Sequence, residues 1–472
     1  MLVPVIGIEV HVELKSKSKV FSSSLNDFNA PINTNISLID LAYPGTLPKM
    51  NKEVVDMALK AALTLNCKIN KKMHFDRKNY FYPDLPKGYQ ITQADTPIGY
   101  DGYLEIDVDE TKKRIEIERI HIEEDTCKSI HVGNETLLNY NRAGVPLIEI
   151  VTKPVITSSK EAILYLEALR ENLLYLGISD VKIEEGSMRC EANVSLKEES
   201  SSVLGTKVEI KNIGSITNVG IGIEYEIERQ KKLLQNGEKV TEETRRFCDK
   251  TNTTILMRVK ETGNDYRYFP EPDMAYIELT DEEISDTLKS LPILPNQLRN
   301  KYKQKGINSN NINTIISNKE ICDFFESIFD LTNQVMSANI LTSEVLSYIN
   351  KNKISLNETL LTKENFIKLI ELLEKNVITT KHCKEIIPIM LEKGTNVEEI
   401  IKDLNIEVIT DDNFVLDIIN KVINENPNSV KDYKEGKDRA VKYLMGQVMK
   451  ESKGKINPKD AMDKLISNLN NI

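Results

Sequence analysis

"GIEVHVEL", residues 7–14, reads as a strand with two unlike faces. Successive side chains of a strand point to opposite sides. Ile8, Val10, Val12 and Leu14 therefore form an apolar face, and Glu9, His11 and Glu13 form a face of two carboxylates and an imidazole. Taken alone, this also describes a half-exposed strand with a solvated polar face. The pattern recurs, however. "MRCEANVSL" (188–196) sets Arg189, Glu191, Asn193 and Ser195 opposite Met188, Cys190, Ala192 and Val194. "PLIEIV" (146–151) puts Glu149 between Leu147 and Val151, where a buried carboxylate must be paired, protonated or metal-bound. "TKVEIKNI" (206–213) flanks Glu209 with Lys207 and Lys211. If these faces converge in one sheet, they make an oxygen-rich pocket with one imidazole, which suits Mg²⁺ or Mn²⁺ better than Zn²⁺.

Outward from this strand, the first 290 or so residues alternate short strands with Gly and Pro turns. "KRIEIERIHIEED" (113–125) keeps Ile115 and Ile117 in one phase and Ile120 and Ile122 in the other. That slip is what a bulge produces, and bulges re-aim side chains at sites. Three acids follow, Glu123, Glu124 and Asp125, which also fit a solvated turn. "TTILMRVKE" (253–261) reads as a further strand. Helices are expected over 53–65 and over 158–177, the latter capped by serine and stopped at Gly177. The expectation is an α+β domain around an antiparallel sheet over 1–293. "SLPILPNQLRNKY" (290–302) reads as a hinge. A helical domain is expected over 294–405 and a small helical tail over 406–472. In that tail Val441, Leu444, Met445 and Val448 share one face, as do Met462, Leu465, Ile466 and Leu469, and Pro427 is expected to end the helix before it.

Composition excludes several classes. The 472 residues carry a net charge of −10, so the chain as a whole does not attract nucleic acid. No run of about 18 apolar residues occurs, and the N-terminus lacks a basic flank, so neither a membrane span nor a signal peptide is expected. Six scattered cysteines without a C-x-x-C pair argue against zinc and disulfides and fit a reducing cytoplasm. "GIGIEY" (220–225) lacks the third glycine of a dinucleotide fingerprint, and no P-loop motif is present. His382 beside Cys383 diverges on a helix and does not make a nucleophile pair. "DRKNYFYPDLPKGYQITQ" (76–93) packs aromatics beside cations, a combination that stacks bases and holds phosphates but also occurs in ordered core-capping loops. Its candidates are Arg77, Tyr80, Tyr82, Lys87 and Tyr89. Arg189, Lys211 and Arg267 join them as substrate- or nucleotide-binding candidates.

"VIGIEVHVEL", "FDRKNYFYPDLPKGYQITQ", "HIEEDTCKS", "NRAGVPLIEIV", "MRCEANVSL", "EIKNI", "TRRF" and "ILMRVKETGNDYRYFPEPD" occur in that order. Together they resemble the B subunits of aspartyl/glutamyl-tRNA amidotransferases over nearly the whole chain. The resemblance implies a cradle-shaped catalytic domain, a helical domain and a tail similar to YqeY proteins. It implies partnership with an amidase, the A subunit of the complex, and with a small C subunit. It also implies conversion of Glu-tRNA(Gln) or Asp-tRNA(Asn) to the amide form with ATP and glutamine. It implies Glu9, His11, Glu124, Glu149, Glu191 and Glu209 as ligands of Mg²⁺, with Mn²⁺ as the alternative. His11, Glu124, Glu149 and Lys78 are the catalytic candidates, with His11 either a neutral ligand or a proton shuttle. Lys78 and Arg77 either orient phosphate or line the route of ammonia.

Many relatives carry zinc-holding cysteines where this chain reads "FSSSLNDFNAPINTNISLIDLAYPG" (21–45), so no zinc is expected. Residues 431–464 hold ten Lys or Arg against six Asp or Glu, which suits RNA backbone contact or an ordinary solvated helix pair. Lys437, Arg439, Lys450, Lys453 and Lys455 are the tail candidates. The rival readings are a non-catalytic tRNA-binding scaffold and a stand-alone ATP-dependent ligase. Clustered carboxylates beside anionic RNA argue against the first, and the basic tail argues against the second.

Overall fold

The computed structural model describes residues 1–27, 29–109, 111–259, 266–404, 406, 412–435, 437–452, 456 and 458–471. The chain divides into two compact units, Met1–Pro295 and Asn296–Ile472. The first is α+β and the second helical. Among the described residues no helix is long and apolar enough to cross a membrane.

The first unit is organised by a nine-stranded sheet. Its strands are β1 (Leu2–Glu13), β2 (Lys68–Ile69), β3 (Gly99–Val108), β4 (Thr111–Glu124), β5 (Pro146–Thr152), β6 (Met188–Glu198), β7 (Val208–Lys211), β8 (Glu243–Cys248) and β9 (Thr253–Val259). They lie in the order β9-β8-β7-β6-β1-β5-β4-β3-β2, antiparallel throughout except for β7 and β8. The opening strand β1 is thus central. Its apolar face, Ile8, Val10 and Val12, joins Ile120, Ile122, Ile148, Ile150, Cys190 and Val194 in one core. Helices α1 (Lys52–Thr64), α2 (Ser159–Tyr175) and α3 (Ile216–Gln235) cover this face with Leu59, Leu166, Leu169, Val219 and Ile223. Each such aliphatic side chain taken from water contributes roughly 1.5–3 kcal/mol, so the apolar face fixes the register of every strand.

The local signals act as expected. Ser158 caps α2 by accepting from Glu161 N at 3.2 Å, and Gly177 beyond it adopts φ +69°. The phase slip is a bulge: Val151 pairs with Arg119 but Thr152 pairs with Ile117, which leaves Glu118 unopposed on β5. "GIGIEY" lies inside α3, and a Cβ on Gly220 would sit 2.6 Å from Ile163 Cδ1 of α2, so this glycine serves close helix packing. A three-stranded sheet of Asp76–Asn79, Tyr89–Thr92 and Phe269–Pro270 walls the other, polar face of the large sheet. In the 21–45 segment Asp40 accepts from Ser22, Ser24 and Ser37 hydroxyls and pairs with the fully buried Lys19 at 3.4 Å.

In the second unit, helices run from Pro295–Gln304 to Pro458–Asn471. Tyr302, Phe325 and Phe329 cluster within 5.4 Å centroid to centroid. His382 does not form a nucleophile pair: its Nδ1 accepts from Thr379 N at the start of Thr380–Lys393, and Cys383 is buried. Pro427 opens the helix Pro427–Lys434, while the preceding helix already ends at Glu425, so the proline acts as a first-turn residue and not as the terminator. Leu444, Met445, Val448, Leu465 and Leu469 share a core drawn wholly from residues 415–469, with Val441 and Met462 packed on it.

Candidate active site

Strand register assembles the site. Across β4, β5, β1 and β6 one row runs His121, Glu149, His11, Arg189, and the next runs Arg119, Val151, Glu9, Glu191. Asn193 on β6 then faces Glu209 on β7. All these side chains stand on the face opposite the helices, because the intervening residues are core. Of these, His121, Glu149, His11, Arg119, Glu9, Glu191 and Glu209 line a cavity of about 920 Å³ with Lys78, Thr92, Gln93, Glu123, Lys211, Arg258, Tyr266 and Tyr268.

Two acidic centres occupy the floor. In the first, His11, Glu123 and Glu149 bring ligand atoms within 4.8 Å of one another. His11 Nε2 lies 3.4 Å from Glu123 and 3.6 Å from Glu149. His121 Nε2 lies 3.1 Å from Glu149. Burial alone would lower the His121 pKa, but the charge of Glu149 and hydrogen bonds to Glu123 and Glu149 push it up to about 9. Burial alone would likewise raise Glu149, yet His121, His11 and Lys78 hold it well below the usual carboxylate range. In the second centre, Glu9, Glu191 and Glu209 meet within the same 4.8 Å limit. Asn193 donates to Glu9 at 2.7 Å, Lys211 to Glu191 at 2.7 Å, and Thr244 to Glu209 at 2.8 Å. Burial, then the charges of Glu149 and Glu191, raise the Glu9 pKa. A cation among these carboxylates would relieve that repulsion. The all-oxygen second centre fits a hard cation such as Mg²⁺, and the first adds an imidazole nitrogen that Mn²⁺ accepts.

Of the expected ligands, the structure brings together Glu9, His11, Glu149, Glu191 and Glu209. Glu124 is a correction: it points away from the cavity, accepting from Ile91 N at 2.9 Å and pairing with Lys87 at 2.7 Å, and Glu123 takes the place expected for it. The signal was present, since after the slip Glu124 shares the phase of Ile120 and Ile122, whereas His121 and Glu123 share the acidic phase. Lys78 lines the cavity. Arg77, its neighbour on the strand, points the other way, held by Glu271 at 2.6 Å and Asp273 at 3.2 Å and stacked 4.1 Å from the Tyr89 ring. Lys87 and Tyr89 line a separate cavity of about 190 Å³ with Glu124 and Asp40. Tyr80 is not in the lining of the main cavity but stacks edge-on with Tyr266, which is, and with the exposed Tyr82.

Arg189 is engaged by Asp125 at 2.9 Å. Lys211 stands in the site. Arg267, at φ +44°, is exposed and its carbonyl accepts from Asn79. In the tail Lys437 pairs with Asp432 at 2.7 Å, Arg439 and Lys450 are exposed, and Lys453 and Lys455 lie outside the described residues. Residues missed by sequence reasoning are His121, Glu123, Gln93, Arg258, Tyr266 and Tyr268. Gln93 is buried; its Oε1 accepts from Ile122 N at 3.0 Å, and Nε2 has no partner among the described residues.

Fold and site together define an α+β cradle whose acidic sheet face is suited to divalent cations, followed by a helical unit. The profile of the GatB/GatE catalytic domain matches residues 4–285, and that of the GatB domain, of the GatB_Yqey type, matches residues 323–469. A relative from Bacillus mycoides (strain KBAB4), named as the B subunit of aspartyl/glutamyl-tRNA(Asn/Gln) amidotransferase, is 46% identical over 456 residues, 96% of each chain. One of the same name from Geobacillus thermodenitrificans (strain NG80-2) is 46% identical over 469 residues, 99% of this chain and 98% of its own. The chain belongs to the family of aspartyl/glutamyl-tRNA(Asn/Gln) amidotransferase B subunits.

Proposed function

We propose that this chain is the ATP-dependent activating and amidating component of a tRNA-dependent amidotransferase. It acts on the side-chain carboxylate of Glu-tRNA(Gln), Asp-tRNA(Asn) or both, with ammonia supplied by the amidase A subunit of the complex and the small C subunit as a further partner. The observation that carries this reading is the convergence of two acidic centres, Lys78 and Lys211 in one cavity. A carboxylate is a poor electrophile because its charge is delocalised and the leaving group would be oxide. Its oxygen therefore attacks the γ-phosphorus of ATP, ADP leaves, and an acyl phosphate results. Ammonia then attacks the acyl carbon, phosphate departs with the former carboxylate oxygen, and a proton is lost to leave the amide.

Phosphoryl transfer needs positioning and charge neutralisation more than covalent help. A divalent cation, held by Glu9, Glu191 and Glu209 or by His11, Glu123 and Glu149, supplies that neutralisation when bound. Lys78 is held charged by Glu123 and Glu149 against the opposing effect of burial, and so presents a fixed cation to phosphate. His11, 3.4 Å from Glu123 and 3.6 Å from Glu149, is in this reading either a neutral ligand of the divalent cation or the carrier of the proton lost from ammonia. Five of the six cysteines are buried, and burial pushes the Cys190 thiol up to about 12, the setting of an inert thiol.

The test is Glu149→Gln, which keeps shape and removes charge. Acyl-phosphate formation from γ-labelled ATP and Glu-tRNA should fall at least ~10–100-fold, the usual effect of losing a ligand or its support, while glutamine hydrolysis by the partner persists. A folded variant that phosphorylates at the wild-type rate would instead make the chain a tRNA-binding scaffold.

A further inference from the structure

Glu209 sits on the shortest strand that contributes to the acidic floor, the four-residue β7, toward one end of the sheet. A carboxylate on so short a strand needs a neighbour to hold its orientation. Lys211, whose Nζ lies 3.4 Å from Glu209 Oε1, is one such neighbour, and Thr244 is another. The one parallel pairing of the large sheet, β7 with β8, places it directly beside Glu209. Thr244 is 2% exposed and its hydroxyl donates to Glu209 Oε2 at 2.8 Å. The flanking residues of β8 anchor it from the opposite face. Arg245 bonds Glu243 at 2.7 Å and Thr254 Oγ1 at 2.8 Å, and Arg229 of α3 reaches Glu226 at 2.8 Å and Glu243 at 3.4 Å. This network fixes β8 on either side of Thr244.

We propose that Thr244 is a positioning residue of the second acidic centre: its hydroxyl fixes the Glu209 carboxylate so that Glu9, Glu191 and Glu209 form a preset divalent-cation site. The inference rests on the metal-dependent reading of the cavity. A hydroxyl suits the task because it orients a carboxylate without neutralising it: it bonds Oε2 at 2.8 Å, while the charge of Lys211 reaches Oε1 from 3.4 Å. Nothing in the strand pattern of "TEETRRF" requires a hydroxyl here, since valine fills the same volume and favours strands.

The experiment compares wild type, Thr244→Val and Thr244→Ser in the full chain, titrated with Mn²⁺ and followed by the paramagnetic resonance of the free ion. Thr244→Val should weaken one class of Mn²⁺ site by ~10–100-fold and leave the class containing His11 unchanged. Thr244→Ser, which loses the methyl group but keeps the hydroxyl, should bind as wild type. In the assembled complex, the Mg²⁺ concentration for half-maximal substrate phosphorylation should rise with valine and return with serine. Equal Mn²⁺ binding by wild type and Thr244→Val overturns the proposal alone. Weakened binding in Thr244→Ser at unchanged Tm also overturns it, because the methyl would then be what matters. A wild-type chain that binds no Mn²⁺ overturns the metal reading beneath it.

Discussion

Glu13 and Glu149 stand on the same sheet face, yet their surroundings treat charge in opposite ways. Glu149 has two histidines beside it. Glu13 lies outside the cavity lining; burial and the nearby Asp125 raise it to about 7, only partly offset by Arg189 and Arg142. Its folded pKa exceeds the unfolded value of 4.5. The unfolded chain therefore binds fewer protons between pH 4.5 and about 7, and stability falls with rising pH across that window and stays reduced above it. Glu13→Gln removes the effect. Its Tm should match wild type near pH 4.5, exceed it increasingly up to about pH 7, and keep a constant lead beyond; a lead independent of pH would refute the assignment. Substrate phosphorylation should change little, in contrast to Glu149→Gln. At this scale the sequence was legible wherever parity decides. Alternation puts Glu9, His11 and Glu13 on one strand face and gives Glu149, Glu191 and Glu209 their phases, but it was the resemblance to the B subunits that singled out the ligands and left Glu13 aside. Glu124 misled because three acids in a row offer no contrast, and only the phase of Ile120 and Ile122 selects Glu123.

Elements were legible in proportion to the length over which a period repeats. β1, β4 and β6 exceed ten residues and announce themselves, whereas Asp76–Asn79 is four residues of Asp, Arg, Lys and Asn with no apolar alternation. That hairpin is defined by tertiary contacts: Asp76 Oδ2 accepts from Ala94 N at 2.7 Å, and Arg77 is clamped by Glu271. Such contacts are made with residues 18 and nearly 200 positions away, beyond any local reading. A close approach between elements is equally silent in the pattern. A Cβ on Gly102 of β3 would lie 2.6 Å from the Leu65 carbonyl oxygen just past α1, an atom of backbone that cannot yield. Gly102 also pairs with Ile117 at the edge of the β4 bulge. Gly102→Ala should therefore cost about 1–3 kcal/mol of stability in urea unfolding, as overpacking usually does. Alanine at Gly133, which has no atom within 4 Å of its notional Cβ but a φ of +59°, tests backbone strain instead and should cost less than forcing a strand off a helix end.

At the scale of the whole chain, the acidic site and the basic stretch 431–464 lie in separate compact units. The cavity residues all precede Pro295, and the core that supports them is drawn from residues 6–247. The last four helices have a core of their own, from Val415 to Leu469. Their surface carries Arg439 and Lys450 exposed to solvent, on a chain whose net charge is −10. An acidic protein that handles tRNA needs a local cationic surface, because each phosphate neutralised releases condensed counterions. This tail is the proposed place for it, and the proposal is tested by removing the tail. Deleting residues from 407 onward should leave the first unit folded, with cooperative unfolding and Mn²⁺ binding intact. It should raise KM for aminoacyl-tRNA in the assembled complex and leave glutamine hydrolysis unchanged. The salt dependence separates charge from general damage: every phosphate no longer neutralised should flatten the slope of log K against log salt by roughly 0.7–0.9. Arg439→Gln with Lys450→Gln should give part of the same flattening without disturbing the Leu444–Val448 core. A truncated chain whose tRNA affinity and salt slope equal those of the intact chain would move the RNA-binding surface elsewhere.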